Sequence, residues 1–127
     1  MEAFFNVFRY GPIYGEIRVW NCLAHVYLFS EELEEKGEVV RVKSPRGFTF
    51  QILREQWEYL NELEREELLK SLENWVYWVL EDNGGAINWS GIYYIYEVHA
   101  EKYVEIINRH VLRAWNKRTD VSLSCLL

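Results

Sequence analysis

Val39-Val40-Arg41-Val42-Lys43-Ser44-Pro45-Arg46-Gly47-Phe48-Thr49-Phe50-Gln51-Ile52-Leu53 is the stretch on which the fold turns. Val40 and Val42 lead into Ser44-Pro45-Arg46-Gly47, and Phe48, Phe50 and Ile52 lead out of it. Alternating β-branched and aromatic residues on both sides of a turn predict a β-hairpin. Pro45 presets its own φ for a tight turn, and Gly47 accepts a left-handed backbone without steric cost. The same stretch, extended to Arg54, carries Arg41, Lys43, Arg46 and Arg54 with no acid.

Toward the N-terminus, Ile17, Val19 and Asn21 alternate with Arg18 and Trp20 and predict a strand. Beyond it two patterns compete. Cys22, Val26, Phe29 and Leu33 fall at i, i+4, i+7 and i+11, the face of a helix ending near Gly37. The alternative is a longer strand to Phe29 with a short helix capped by Ser30. Residues 2–10, broken by Gly11-Pro12, fit a further strand and turn.

Toward the C-terminus, residues 54–82 repeat apolar positions at helical spacing, from Trp57 to Val79. Asn61 with Glu64 three residues on predicts a cap and a bend, and Asn83-Gly84-Gly85 predicts the stop. Residues 92–98 are rich in β-formers. A helix over 99–118 follows, burying Tyr103, Val104, Ile107, Val111, Ala114 and Trp115, and the alternating tail 119–127 fits a terminal strand. The expected order from residue 16 is β-α-β-β-α-β, a ferredoxin-like antiparallel sheet of the α+β class. The whole chain, 1–127, is expected to be one domain, with a 16–98 core and additions at both ends.

Composition narrows the function classes. The net charge is −6, which opposes non-specific attachment to polyphosphate or anionic membrane. Cys22 and Cys125 match no metal or redox spacing. The start has no basic n-region with a long apolar run, and no run of 18 apolar residues occurs, so a cytoplasmic protein is expected. Glu outnumbers Asp 18 to 2 among few thermolabile side chains, which fits a hot-adapted origin. The composition is similar to that of small proteins of thermophilic archaea and their viruses, which by analogy implies a regulatory or mobile-element accessory role.

The predicted order, with Arg46-Gly47-Phe48 and Phe50 on its third strand, resembles the RNA recognition motif, whose long signature reads K/R-G-F/Y-G/A-F-V-x-F/Y. Thr49, Gln51 and Leu53 depart from it. On the first strand Ile17, Val19 and Asn21 agree with the companion signature, while Arg18 stands where the family has a stacking aromatic. The resemblance implies that Phe48 and Phe50 face solvent and stack bases, which sends Gln51 inward in need of a hydrogen-bond partner. Burial cost favours the opposite orientation, with Phe48, Phe50 and Ile52 in the core and Thr49 and Gln51 outside.

A nucleic-acid groove would draw on Arg41, Lys43, Arg46, Phe48, Phe50 and Arg54, together with Arg109, Arg113 and Lys117, which share one face of the last helix. Residues 55–82 hold nine acids against two bases, so the chain is segregated into basic and acidic blocks that also suit self-docking. No complete catalytic constellation, metal set or cofactor motif accompanies Cys22, His25, Glu97, His99 or His110, so no enzyme activity, metal or cofactor is expected. The expected function is a non-enzymatic binding module, homodimeric and engaging a protein partner, with Val121, Leu123 and Leu126 at the interface. Single-stranded RNA or DNA binding is the alternative, and no membrane association is expected.

Overall fold

Ser44 closes the central turn with both of its ends. Its carbonyl accepts from the Gly47 N–H and its own N–H donates to the Phe48 carbonyl, each at 2.8 Å, while its Oγ accepts from the Phe48 N–H. Gly47 takes a φ of 89°, the left-handed value that glycine adopts freely. In the computed structural model, which describes residues 13–126 and side chains through Thr119, this turn joins β3 (Val39–Lys43) to β4 (Thr49–Leu53). Val42 pairs with Phe50 and Val40 with Ile52, so one face of the hairpin is apolar.

The segment after Trp20 is a strand, as in the second of the two alternatives. β1 (Ile13–Trp20) and β2 (Leu23–Tyr27) form a second hairpin around Asn21 and Cys22, whose φ values are 51° and 61°. Two successive left-handed residues make the tight turn whose twist matches paired strands. Ala24, Val26 and Leu28 are buried at period two, while Cys22 is exposed in the turn rather than set on an apolar helical stripe. The helix shrinks to α1 (Glu31–Glu35), with Ser30 as its cap accepting from the Leu33 N–H.

That strand changes the topology. β2 pairs parallel with β4 at His25–Thr49 and lies between β4 and β1, giving the order β3-β4-β2-β1-β5 in a five-stranded mixed sheet. The expected four-stranded antiparallel ferredoxin-like sheet would set β1 directly against β4. Here the residues assigned to its first crossover helix occupy that position as a strand. The chain is of the α+β class.

α2 (Arg54–Tyr59) and α3 (Glu62–Asp82) are separated by the anticipated bend at Leu60-Asn61. Asn61 Oδ1 accepts from the Glu64 N–H and Glu64 Oε1 from the Asn61 N–H, both at 2.9 Å, which satisfies two otherwise orphaned donors. α3 stops where Gly84, at φ 73°, donates to Glu81 and Gly85 donates to Leu80. After β5 (Gly91–Tyr96), α4 (Glu97–Leu126) begins at once. α4 continues through the residues expected to form a separate tail strand. The strand expected over 2–10 lies outside the described residues.

α3 and α4 cover one face of the sheet. Leu72, Trp75, Val76 and Val79 from α3 and Tyr103, Ile107, Val111 and Ala114 from α4 meet Ile17, Val26, Phe48, Phe50, Ile52 and Ile95. Each such fully buried large apolar side chain contributes on the order of 1.5–3 kcal/mol. Trp115 is 39 % exposed and Val104 half-buried, so α4 keeps part of its expected core stripe at the surface.

Candidate binding face

Among the described residues, the core helices α3 and α4 pack on one face of the sheet, and the other face presents exposed side chains. Strand pairing assigns its residues, because pleating sends alternate side chains to opposite faces. Glu16, Arg18 and Trp20 on β1 stand opposite Tyr27, His25 and Leu23 on β2, and Glu16 and Arg18 stand opposite Tyr94 and Ile92 on β5. His25 is beside Thr49, which continues to Lys43, and Gln51 stands opposite Arg41. Trp20 is 68 % exposed, Ile92 56 % and Tyr94 47 %. Large apolar side chains left in water across neighbouring strands mark an interaction surface more strongly than isolated ones do.

Tyr27 is the centre of this face. Its ring lies between two guanidiniums, Arg18 at 4.8 Å and Arg41 at 5.1 Å from the centroid. Each cation-π contact contributes about 0.5–1 kcal/mol at an exposed site. Both arginines are paired with acids in partly exposed ion pairs: Arg18 meets Glu16 at 2.6 Å and Arg41 meets Glu34 at 3.2 Å. The hydrogen bond that Arg41 donates to the Glu34 carboxylate raises its pKa further above its already high ordinary value.

Gln51 departs from the expectation that it faces solvent when Phe48 and Phe50 face the core. It points to the outer side of the sheet and is nevertheless buried. β2 ends at Tyr27, leaving the N–H groups of Leu28 and Phe29 without a ladder partner. Gln51 Oε1 accepts from both, at 2.6 and 2.8 Å, and its Nε2 donates to Glu34 of α1. The side chain completes a ladder that the backbone abandons, and α1 closes this end of the face. The fully buried Tyr103 hydroxyl, its pKa pushed up by desolvation, donates to the Gln51 carbonyl.

Arg41 and Lys43 thus belong to the open face. Phe48 and Phe50 do not: both are 0 % exposed beneath the helices, so neither can stack a base. The physical reason is the one burial cost anticipates, since Gln51 finds partners outside while the rings lose water inside. Arg46 sits at the hairpin tip over the rings of Phe48 and Tyr77, its backbone N–H held by the buried Glu73 carboxylate at 2.8 Å. Arg54 donates to the Gly37 carbonyl and to Glu58 at the start of α2. Arg109, Arg113 and Lys117 lie exposed on α4, which packs on the core face of the sheet, whereas Arg41 is on the opposite face. The side chains of Val121, Leu123 and Leu126 lie outside the described residues.

Arg18, Trp20, His25, Tyr27, Ile92 and Tyr94 are absent from the residues expected at a site. The alternation of 16, 18 and 20, and of 92, 94 and 96, carried a signal for part of this face. Nothing local placed Tyr27 between Arg18 and Arg41, because that depends on which strands become neighbours.

His99 and His110 have structural employment. His99 is buried in the first turn of α4, where its Nδ1 accepts from the Tyr96 N–H at 3.1 Å and its Nε2 therefore donates to Asp82 at 2.7 Å. It does for α4 what Glu64 does for α3. His110 Nε2 meets Ser71 Oγ at 3.0 Å, and burial, with Arg113 and Arg109 nearby, lowers its pKa. Among the described residues no group of three or more His, Cys, Asp or Glu could hold a metal ion, and no helix is long and apolar enough to cross a membrane. Compared with protein-family models, with curated proteins and with solved structures, the chain matches none.

Proposed function

We propose that this chain is a non-enzymatic binding module whose open sheet face receives a protein partner. The observation that carries this is the composition of that face. Trp20, Ile92 and Tyr94 are exposed there in quantity, while Arg18 and Arg41 are spent on Glu16 and Glu34. Exposed aromatic residues supply most interface energy, and arginines already paired with acids attract phosphate weakly. The net charge of −6 acts in the same direction.

A photo-crosslinking residue at position 94 is expected to capture a discrete protein partner in cells of the source organism. Capture should be lost in Trp20→Ala/Ile92→Ser, and a crosslinker at the exposed Glu66 of α3 should capture nothing comparable. Equal capture from both positions would remove the proposal.

Single-stranded nucleic acid is the second reading. Tyr27 flanked by Arg18 and Arg41, with His25 and Lys43 on the same face, supports it, now without Phe48 and Phe50. Stacking platforms beside cations bind single strands with strong salt dependence. Fluorescence anisotropy with labelled single-stranded RNA and DNA decides between the two. Protein binding predicts no signal even at low salt, whereas tight, salt-sensitive binding abolished by Arg18→Glu/Lys43→Glu would favour the second reading.

A further inference from the structure

Acids are nearly absent from the sheet. Glu16 lies in β1, and β2 to β5 contain none, although the chain has 20. The acid-free region continues beyond the strands, because residues 17–30, 39–54 and 83–96 hold no Asp or Glu. These three stretches meet in space. Trp20 pairs with Leu23 across the β1–β2 turn, and Val19 pairs with Gly91 at the start of β5. A Cβ added at Gly47 would lie 3.1 Å from Leu23 Cδ2, so the β3–β4 turn adjoins the β1–β2 turn. Two turns and the loop before β5 thus form one end of the sheet.

Register places a row of bases across the open face beside that end. Lys43 stands opposite Thr49, Thr49 beside His25, His25 opposite Arg18, and Arg18 opposite Ile92. Five strands at about 4.8 Å spacing make this row roughly 19 Å long, the span of a six-residue extended peptide. Lys43 is exposed and forms no ion pair among the described residues. Closer to the turns, Trp20 and Leu23 are exposed, and Trp89, two residues before Gly91, is 63 % exposed. The other end of the face is acidic, closed by α1 with Glu31, Glu32, Glu34 and Glu35. The face is therefore polarised along its strands.

Packing within the chain does not account for this. Glu73 of α3 reaches the turn end, but it is buried and its carboxylate accepts from the Arg46 N–H. Low β-propensity keeps acids out of strands. It does not act on the 83–90 loop, nor does it put Trp20 and Trp89 in water.

The side chains select the partner. Leu23 and Ile92 offer no ring to stack a base, and one unpaired lysine neutralises too few phosphates for tight nucleic-acid binding. A peptide with carboxylates and large apolar side chains satisfies both parts of the patch. Its acids meet the Lys43–His25–Arg18 row while its apolar groups cover Trp20 and Leu23. The acids of α1 repel it from the far end, which fixes its placement.

We infer that the turn end of the open face, centred on Trp20 and the Lys43–His25–Arg18 row, binds an acidic segment of a partner protein that bears large apolar side chains. The inference rests on the protein-binding reading of this face and adds the partner's chemistry to it.

Selection of a random peptide library on the folded chain tests it. Enriched peptides should combine Asp or Glu with Leu, Phe or Trp. A synthetic copy of the most enriched peptide should bind Lys43→Glu about tenfold more weakly than the wild type, and Lys43→Arg with wild-type affinity. Trp20→Ala/Trp89→Ala should weaken it about tenfold, and added salt should weaken it further. Arg109→Glu/Arg113→Glu should leave it unchanged. All these positions are exposed, and wild-type thermal melts will show that lost binding is not lost folding. Neutral or basic enriched peptides, or equal affinity for Lys43→Glu, would overturn the inference while leaving the protein-binding reading in place. Failure to enrich any peptide that depends on Trp20 and Trp89 would also overturn it, and crosslinking from position 94 would then judge the broader reading separately. So would tighter binding of an oligo(dT) strand, or of vesicles of mixed phosphatidylcholine and phosphatidylserine, than of the selected peptide.

Discussion

The two hairpins of this sheet reach the same geometry by opposite means. β3–β4 turns on Ser44-Pro45-Arg46-Gly47, where Pro45 and Gly47 each hold the conformation that their covalent structure favours. β1–β2 turns on Asn21-Cys22, where both residues are left-handed and only the asparagine is suited to it. The first hairpin is favoured locally. The second is held by its neighbours: Val19–Ala24 and Ile17–Val26 face the helices, β4 lies along one side and β5 along the other. A turn with poor local chemistry survives when burial on one face outweighs the strain.

The largest break in that comparison should come from the shared core. Phe50→Ala removes a fully buried ring that stacks on Tyr103, and is expected to cost about 3–5 kcal/mol by urea denaturation. On the other hairpin Gly15→Ala tests close approach rather than burial. An added Cβ would lie 2.1 Å from the Tyr27 carbonyl oxygen, so β1 must part from β2 beside the register shift that β1 makes against β5 at Ile13–Gly15. We expect about 3 kcal/mol of destabilisation, in the upper range for overpacking. A stability equal to the wild type would show that the bulge relaxes freely.

Gln51→Leu probes the seam between the hairpins. It keeps the volume but strands the Leu28 and Phe29 N–H groups. The expected cost is about 2 kcal/mol, with hydrogen exchange accelerated at those two amides before the rest of the sheet. Uniform exchange would mean that Gln51 is not the local tie. Cys22→Gly should work in the other direction. It relieves a left-handed cysteine and completes an Asn-Gly turn, raising stability by about 1 kcal/mol.

The smallest effect is a pH dependence. The His110 pKa is lowered from 6.5, chiefly by burial and then by Arg113 and Arg109. The unfolded chain therefore takes up a proton at higher pH than the folded one. Stability is fully present above the unfolded value and declines as pH falls below it toward the lowered folded value. The urea midpoint of His110→Gln should lack this part of the decline. At lower pH, Glu64 contributes a second decline. Burial alone would raise its pKa, but the Asn61 N–H and the Arg118 guanidinium outweigh that and lower it.

Much of the fold was legible where punctuation was local. The Pro45-Gly47 turn, the Asn61–Glu64 capping box and the Gly84-Gly85 stop each act within a few residues, and all three lie where the sequence put them. The span 22–33 was ambiguous because Val26 satisfies both a period of two and a period of 3.6. Sheet neighbours resolved it, and with it the strand order. The candidate face was legible only in pieces. Trp20 and Tyr94 were placed on exposed alternations by β1 and β5, but Tyr27 was hidden in the segment whose period was ambiguous.

By itself, then, the sequence determined the α+β class, the β3–β4 hairpin and the Asn61–Glu64 cap, and for Phe48 and Phe50 it gave a burial cost that favoured the core without fixing their facing. Each follows from local backbone chemistry or from the cost of leaving large rings in water. Only the tertiary structure decided that β2 enters the sheet between β1 and β4, that Gln51 replaces a missing ladder partner, and that Tyr27 lies between Arg18 and Arg41. Those features depend on strand adjacency, which is set by long-range hydrogen bonding and by the shape of the whole core. No local propensity encodes them.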